Sequence, residues 1–316
     1  MEATVQGSET KVFDTNFKSI LDLLKAFPDE QSCIDHLESL RWNGQVVSPY
    51  NADSQVYKCK GNKYKCRSTN QYFNVKTGTI FEDTKIPLRK WFMALYIFSS
   101  HKKGISSHQL AKDIDVTQKT AWFILHRLRY AFDHPNFKRA LSGEVEADET
   151  YFGGNEKNKH LNKRTPGTYG PKSKTPVAGL IERGGNVIAQ KVDNTSMITL
   201  IPFISDNVEP QSTVYTDESK SYHYVKRNYN HFVVNHSAKE YVNGMAHTNG
   251  IECFWSHLKR GVDGIYHWVS TKHLQSYIDE FSLRYNTRKS CVSGRFDLIL
   301  CNMIGRLTYK NLISNE

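Results

Sequence analysis

Apolar positions along this chain change period several times, and each change predicts a new element. Over Asn16 to Arg41, Phe17, Ile20, Leu21 and Leu24, then Cys33, Ile34, Leu37 and Leu40, recur at helical spacing. Pro28 divides the run into two helices, and Gly44 stops the second. From Val46 to Phe81 the period falls to two. The stretch VYKCKGNKYKCRSTNQYFNVKTGTIF alternates apolar with polar residues and holds turn candidates at Gly61-Asn62 and Thr77-Gly78, which predicts a small antiparallel β unit. A unit of about 40 residues needs a metal, a disulfide or neighbours to hold it together. From Pro87 to Phe132 helical spacing returns, with Trp91, Leu95 and Phe98 on one stripe. There ISSHQLAKDIDVTQKTAWFILHRLRYAF predicts a short helix over Ser107 to Ile114, a tight turn at Asp115-Val116 and a longer helix from Thr117. Ser106 or Ser107 and Thr117 are the expected N-caps.

Beyond Gly143 the pattern is mixed α/β. Strands are predicted over Glu144 to Phe152, Pro176 to Glu182, Val187 to Val192, Thr213 to Thr216 and His231 to Asn235. Helices are predicted near Ser196 to Ile204, Lys220 to Arg227, Asn249 to Arg260 and Lys272 to Asn286, the last capped by Thr271. A final helix with a frayed end is expected from Cys291 onward. The segments are therefore a helical 14–45, a β unit 46–86, a helical 87–135, an α/β domain 140–290 and a tail 291–316.

Composition narrows the partner. The 316 residues, 39% hydrophobic and 12% aromatic, can bury a real core, which excludes global disorder. Lys and Arg number 42 against 32 Asp and Glu, a formal charge of +10 that favours a polyanionic partner, nucleic acid first. No run approaches the roughly 18 apolar residues of a membrane span, and the N-terminal residues lack a signal core. A cytoplasmic, nucleoid-associated protein is expected, with its six scattered cysteines reduced.

Three stretches carry candidate chemistry: GEVEADETYFGG, STVYTDES and HTNGIECFWSHLKR. Asp148 sits within an alternating strand, so Glu146, Asp148 and Thr150 face one way and Val145, Ala147 and Glu149 the other. Asp217 ends an apolar run, where open α/β sheets place their sites. Glu252 opens an amphipathic helix, with Asn249 three residues before it and Lys259 seven after on the same face. Three carboxylates from separate elements can converge on hard divalent cations, and two ions about 4 Å apart suit phosphoryl transfer.

The stretches VEADETYFGG, TPVAGLIERGG, YTDES, VNHSAKEYVNGMAHTNGIECFWSHLKRG, GIYHWVSTKHLQSYIDEFSLRYNTR, TGTIFEDTKIPLRKWF and ISSHQLAKDIDVTQKTAWFILHRLRYAF, between about Phe27 and Arg288, resemble the bacterial insertion-sequence transposases of the ISXO type, relatives of the Merlin elements. The resemblance implies a ribonuclease-H-like catalytic domain whose Asp-Asp-Glu triad falls on Asp148, Asp217 and Glu252. It puts the family's extra asparagine on Asn249 and its basic residue on Lys259. Two Mg²⁺ ions are expected as cofactors, Mn²⁺ being able to substitute, with Asp148 bridging both and Asp217 and Glu252 each holding one. The expected partners are double-stranded DNA, as transposon ends and target, and a second copy of the chain in the synaptic complex; no membrane is expected.

Within that frame Ser106 to Phe132 fits a helix-turn-helix whose second helix enters the major groove. Gln118, Lys119, Thr120 and His126 are its candidate DNA-facing residues, and Arg127 and Arg129 its phosphate contacts. Lys157, Lys159, Lys163, Arg164, Lys172 and Lys174 form a basic loop able to clamp DNA beside Asp148. The β unit departs from the family. Relatives carry a zinc ribbon with paired C-x-x-C knuckles, whereas here Ser48-Pro49-Tyr50-Asn51 has no cysteine and Cys66 is followed by Thr69, with Cys59 extra. Structural zinc needs four Cys or His ligands, so a degenerate zinc-ribbon-like unit without zinc is expected. A second departure is Ser219, where relatives often carry tryptophan. The function implied is metal-dependent strand cleavage and strand transfer at terminal inverted repeats; the alternative is a domesticated or inactive DNA-binding repressor derived from a transposase.

Overall fold

The computed structural model describes residues 17–132, 139–154, 160–164, 174–234 and 247–314. In chain order it contains α1 (Ile20–Ala26), α2 (Glu30–Trp42), β1 (Val56–Cys59), β2 (Lys63–Cys66), β3 (Tyr72–Phe73), α3 (Leu88–Ser100), α4 (Ser107–Asp113), α5 (Gln118–Ala131), β4 (Glu144–Phe152), β5 (Thr175–Glu182), β6 (Val187–Lys191), α6 (Met197–Asn207), β7 (Thr213–Asp217), β8 (Asn230–Val234), α7 (Asn249–Gly261), α8 (Leu274–Asn286), α9 (Val292–Cys301) and α10 (Tyr309–Ile313). The described residues fall into two compact units, one within 1–101, 110–131 and 290–316, the other within 102–109 and 132–289.

In the first unit, α1 and α2 start at reciprocal capping boxes, Ser19 with Asp22 and Asp29 with Ser32, on either side of Pro28. The β unit is a three-stranded antiparallel sheet, β1-β2-β3. Its tight turn between β1 and β2 uses left-handed backbone at Gly61 and Asn62. Aromatic packing holds it: Trp42 of α2 meets the Tyr64 ring at 5.2 Å, and Tyr64 stacks on Phe73 at 5.8 Å. Cys66 is fully buried, with the Ser68 hydroxyl 3.4 Å from its sulfur. The α3 helix is buried nearly all round, as a helix apolar on most faces must be. The expected separate tail is instead two helices belonging to this unit: Phe296 of α9 packs on Phe17 at 5.1 Å and on Phe92 at 5.4 Å.

The turn between α4 and α5 is closed by Val116 N–H donating to the Ala111 carbonyl, with Asp115 left-handed at φ 51°. Ser106 and Thr117 cap as expected, accepting from Gln109 and Thr120 N–H.

The second unit is mixed α/β, built on a five-stranded sheet in the order β6-β5-β4-β7-β8. The first three strands in sequence pair antiparallel, and β7 and β8 join in parallel. Alternation along the strands sorts their side chains onto two faces. Val145, Ala147, Ala178, Leu180 and Val214 meet Leu200, Phe203 and Ile204 of α6. On the opposite face Val177, Ile181, Val187 and Ala189 meet Ile251, Phe254, Trp255 and Leu258 of α7 and Leu274, Ile278 and Phe281 of α8. Two local expectations are corrected. Residues 220–227 form two short 3-10 turns, Lys220–Tyr222 and Val225–Arg227, rather than a helix. The N-cap of α8 is His273, with no side-chain cap bond, and Thr271 instead pairs with Thr175 at 3.3 Å.

Candidate active site

The register of β4 against β7 brings the two aspartates together. Glu146 pairs with Tyr215, an offset of 69 residues, and the same offset separates Asp148 from Asp217. Two residues on from the last paired position, both carboxylates keep that register and lie on the face that α7 covers. Trp255 of α7 reaches over this edge and donates from Nε1 to Asp148 Oδ2 at 3.0 Å. It can do so because residue 179, opposite Asp148 on β5, is glycine: a Cβ there would stand 2.4 Å from the Trp255 ring. Asp217 accepts from the Ser219 N–H at 3.0 Å. Glu252, exposed in the first turn of α7, accepts from Thr248 Oγ1 at 3.1 Å.

Burial pushes the Asp148 carboxyl up to about 6, and the charges of Asp217 and Glu252 push the same way. Glu149, on the other face, is pushed up to about 7, first by burial and then by Asp148 and Asp217, against the bond it accepts from Tyr222 Oη at 2.5 Å. Asp217 and Glu252 are thus near enough to Asp148 to disfavour its charge. Among the described residues no group of three or more acidic, histidine or cysteine side chains is arranged to hold a metal ion. Asp148, Asp217 and Glu252 each hold a hydrogen bond within the protein instead. The donor set is all oxygen, which suits a hard divalent ion held by one or two protein carboxylates together with phosphate and water.

Asn249 and Lys259 are exposed on α7 with Glu252. At the start of α5, Gln118 and Lys119 are exposed and Thr120 is half-buried, while the Lys119 ammonium lies 4.8 Å from the Tyr309 ring centroid. Arg164 is exposed and Lys174 half-buried; the Lys163 side chain and Lys172, like Lys157 and Lys159, lie outside the described residues.

Arg127, Arg129 and His126 correct the expectation of a DNA-facing role, because all three are buried. Arg127 donates Nη1 to the carbonyls of Ile80 and Glu82, at 2.7 and 3.0 Å, and Nε to that of Leu307 at 3.0 Å. It joins α5 to two loops of the first unit. Arg127→Ala is expected to cost about 3 kcal/mol by leaving these carbonyls unpaired, lowering the melting temperature by roughly 5–10 °C. A circular-dichroism melt unchanged by the substitution would remove this structural role.

Two features of the site lay outside the sequence reading: the Glu149–Tyr222 pair and the partners of Glu146. The strand alternation put Glu146 on the same face as Asp148, but a strand pattern carries no sign of which helix a carboxylate will meet.

Residues 140–286 match the model of the ISXO2-like transposase domain. The chain is 32% identical over 279 residues to a Halobacterium salinarum protein described as an uncharacterized protein in transposable element ISH50, covering 83% of this chain and 92% of that one. It is 34% identical over 96 residues to an uncharacterized transposase-like protein of Haemophilus influenzae, covering 30% of this chain and 76% of the other. Among solved structures, the Mos1 strand transfer complex matches at 12% identity and a TM-score of 0.28, over 72% of this chain and 82% of that one, too slight a likeness to bear on the site.

Proposed function

Since the chain belongs to the family of ISXO2-like insertion-sequence transposases, we propose that it binds the terminal inverted repeats of its element and cuts and joins DNA there with divalent metal ions. The observation that carries this reading is the β4–β7 register, which sets Asp148 and Asp217 at one level of one sheet face beneath the helix bearing Glu252. The strand order, three antiparallel strands followed by two parallel ones, supports a ribonuclease-H-like catalytic domain.

Asp148, Asp217 and Glu252 would hold Mg²⁺ or Mn²⁺, and their crowded charges are a reason for a cation to be bound. Two ions so held would supply activation of the attacking oxygen and neutralisation of the leaving one. The protein's own part is to hold these oxygens on a rigid sheet edge, with the Trp255 indole walling one side of Asp148. Lys259 would meet phosphate near the cut, and Asn249 would touch DNA or orient Glu252. Lys163, Arg164, Lys172 and Lys174 would follow the backbone beside β4, with binding that weakens steeply as salt rises. Joining two ends in one synapsis calls for two copies of the chain, working beside the nucleoid.

End recognition is assigned to the exposed start of α5. The double substitution of Gln118→Ala and Lys119→Ala is expected to weaken binding to the terminal repeat by roughly tenfold to a hundredfold while sparing nonspecific DNA. A gel shift in which end binding is untouched would make α4 and α5 a plain helical hairpin. The activity itself is tested by incubating the full chain with a labelled element end and its flank. Nicking at the end that needs Mg²⁺ or Mn²⁺ and stops with chelator is expected; intact DNA under all conditions would overturn the reading.

A further inference from the structure

Beside the three carboxylates Asp148, Asp217 and Glu252 a further one is almost wholly enclosed. Glu146, two residues before Asp148 on the same strand face, is 1% exposed. Its Oε2 accepts from the backbone N–H groups of Gly250 and Ile251, at 2.7 and 3.0 Å. Its Oε1 accepts from Arg183 Nε at 3.0 Å and lies 3.2 Å from His247 Nδ1. Arg183 also donates Nη2 to the His247 carbonyl at 2.9 Å. One strand carboxylate and one arginine thus grip the backbone on both sides of the point where α7 begins.

The first N–H groups of a helix lack partners within it and are ordinarily met by a local cap. Here the N-cap residue Thr248 makes no such bond, and its hydroxyl is turned to Glu252. The capping acceptor comes instead from β4, the strand that carries Asp148. Approach this close requires glycine at position 250, where a Cβ would come within 2.8 Å of Glu146 Oε2. Glu146 is buried, whereas Asp148 and Asp217 are half-buried and Glu252 is exposed, which sets it apart from those three.

We propose that Glu146 is a positioning residue: by pinning the first turn of α7 to β4, it sets where Glu252 stands relative to Asp148 and Asp217. The proposal rests on the reading of those three as metal ligands. Glu252 is only one or two residues along the helix from the pinned N–H groups, so release of the pin moves it more than any other triad member. Arg183 offsets the charge of Glu146 and keeps it from adding to the repulsion among the triad.

A metal probe reads this without catalysis. Tb³⁺ is a hard, oxygen-seeking ion, and Trp255, bonded to Asp148, is placed to sensitise its emission. In the full chain, excitation of tryptophan during a Tb³⁺ titration is expected to give saturable emission that Asp148→Asn removes. Glu146→Gln is expected to remain folded by circular dichroism while its half-saturating Tb³⁺ concentration rises about tenfold or more. Gly250→Ala keeps the carboxylate but displaces it from the helix, and it is expected to give the same shift; it carries the test should Glu146→Gln fail to fold. Wild-type half-saturation in folded variants would overturn the anchor alone. A wild-type protein that emits no more than Asp148→Asn would overturn the metal-site reading, and the anchor with it.

Discussion

Asp148→Asn, Asp217→Asn and Glu252→Gln are each expected to reduce cleavage of element-end DNA by three orders of magnitude or more, a loss of about 4 kcal/mol of transition-state stabilisation. Each substitution keeps the side chain's size and most of its hydrogen bonds. Asparagine at 148 can still accept from Trp255, so the loss falls on charge and ligation rather than on fold. DNA binding is expected to hold or to tighten, since removing a carboxylate near the path of a phosphate backbone lessens repulsion. Paired gel-shift and cleavage assays on one labelled substrate measure both quantities. Full cleavage in Mg²⁺ by any of the three variants would strike that residue from the site.

The second large effect is on stability without metal. Asp148 and Glu149 are held at about 6 and about 7 in the folded protein, above ordinary values of 3.8 and 4.5. Below the ordinary values both groups are protonated in the folded and the unfolded chain, and they cost nothing. As pH rises, the unfolded chain releases its protons first, and the folded one must then ionise two buried carboxyls. The metal-free protein therefore loses stability between about pH 4 and pH 7, and the loss is complete above pH 7. At about 1.4 kcal/mol per unit, the two groups together cost on the order of 6 kcal/mol. In chelator at pH 8, Asp148→Asn is expected to melt several degrees above wild type, at roughly 2–4 °C per kcal/mol; at pH 4 the two should melt together. Added Mn²⁺ should raise the wild-type melting temperature and leave the variant unmoved. A variant that melts below wild type at pH 8 would contradict the crowding of these carboxylates.

How much of this could be read from the chain differs with the range of the interaction. Period-two alternation found β4 to its exact ends, Glu144–Phe152, and placed β5 to β8 to within about a residue or two. Helical spacing found α7 and put Asn249, Glu252 and Lys259 on it, because one helix is a local matter. Which strand lies beside which is not local. No strand pairing was legible in the sequence, and Asp148 was joined to Asp217 there only through family likeness. Burial misled it at α5: a basic stripe at Arg127 and Arg129 reads as a phosphate contact, yet three backbone carbonyls, one of them 180 residues away, take up the Arg127 guanidinium. The same limit hid α9 within the first unit, since Phe296 meets Phe17 across the length of the chain. Glu146 was seen on the right face, but its partners Gly250, Ile251 and Arg183 are fixed only once α7 is docked.

Joining of DNA by Asp148, Asp217 and Glu252 together remains the proposal on which the rest depends. It is tested most directly by supplying the full chain with a pre-nicked, labelled element end carrying a free 3′-hydroxyl, a supercoiled target plasmid and Mg²⁺. Label covalently joined to plasmid is expected, in amounts that vanish with Asp148→Asn. Tight, specific binding of the end with no joined product in Mg²⁺ or Mn²⁺ would contradict it and identify a DNA-binding repressor on a transposase scaffold.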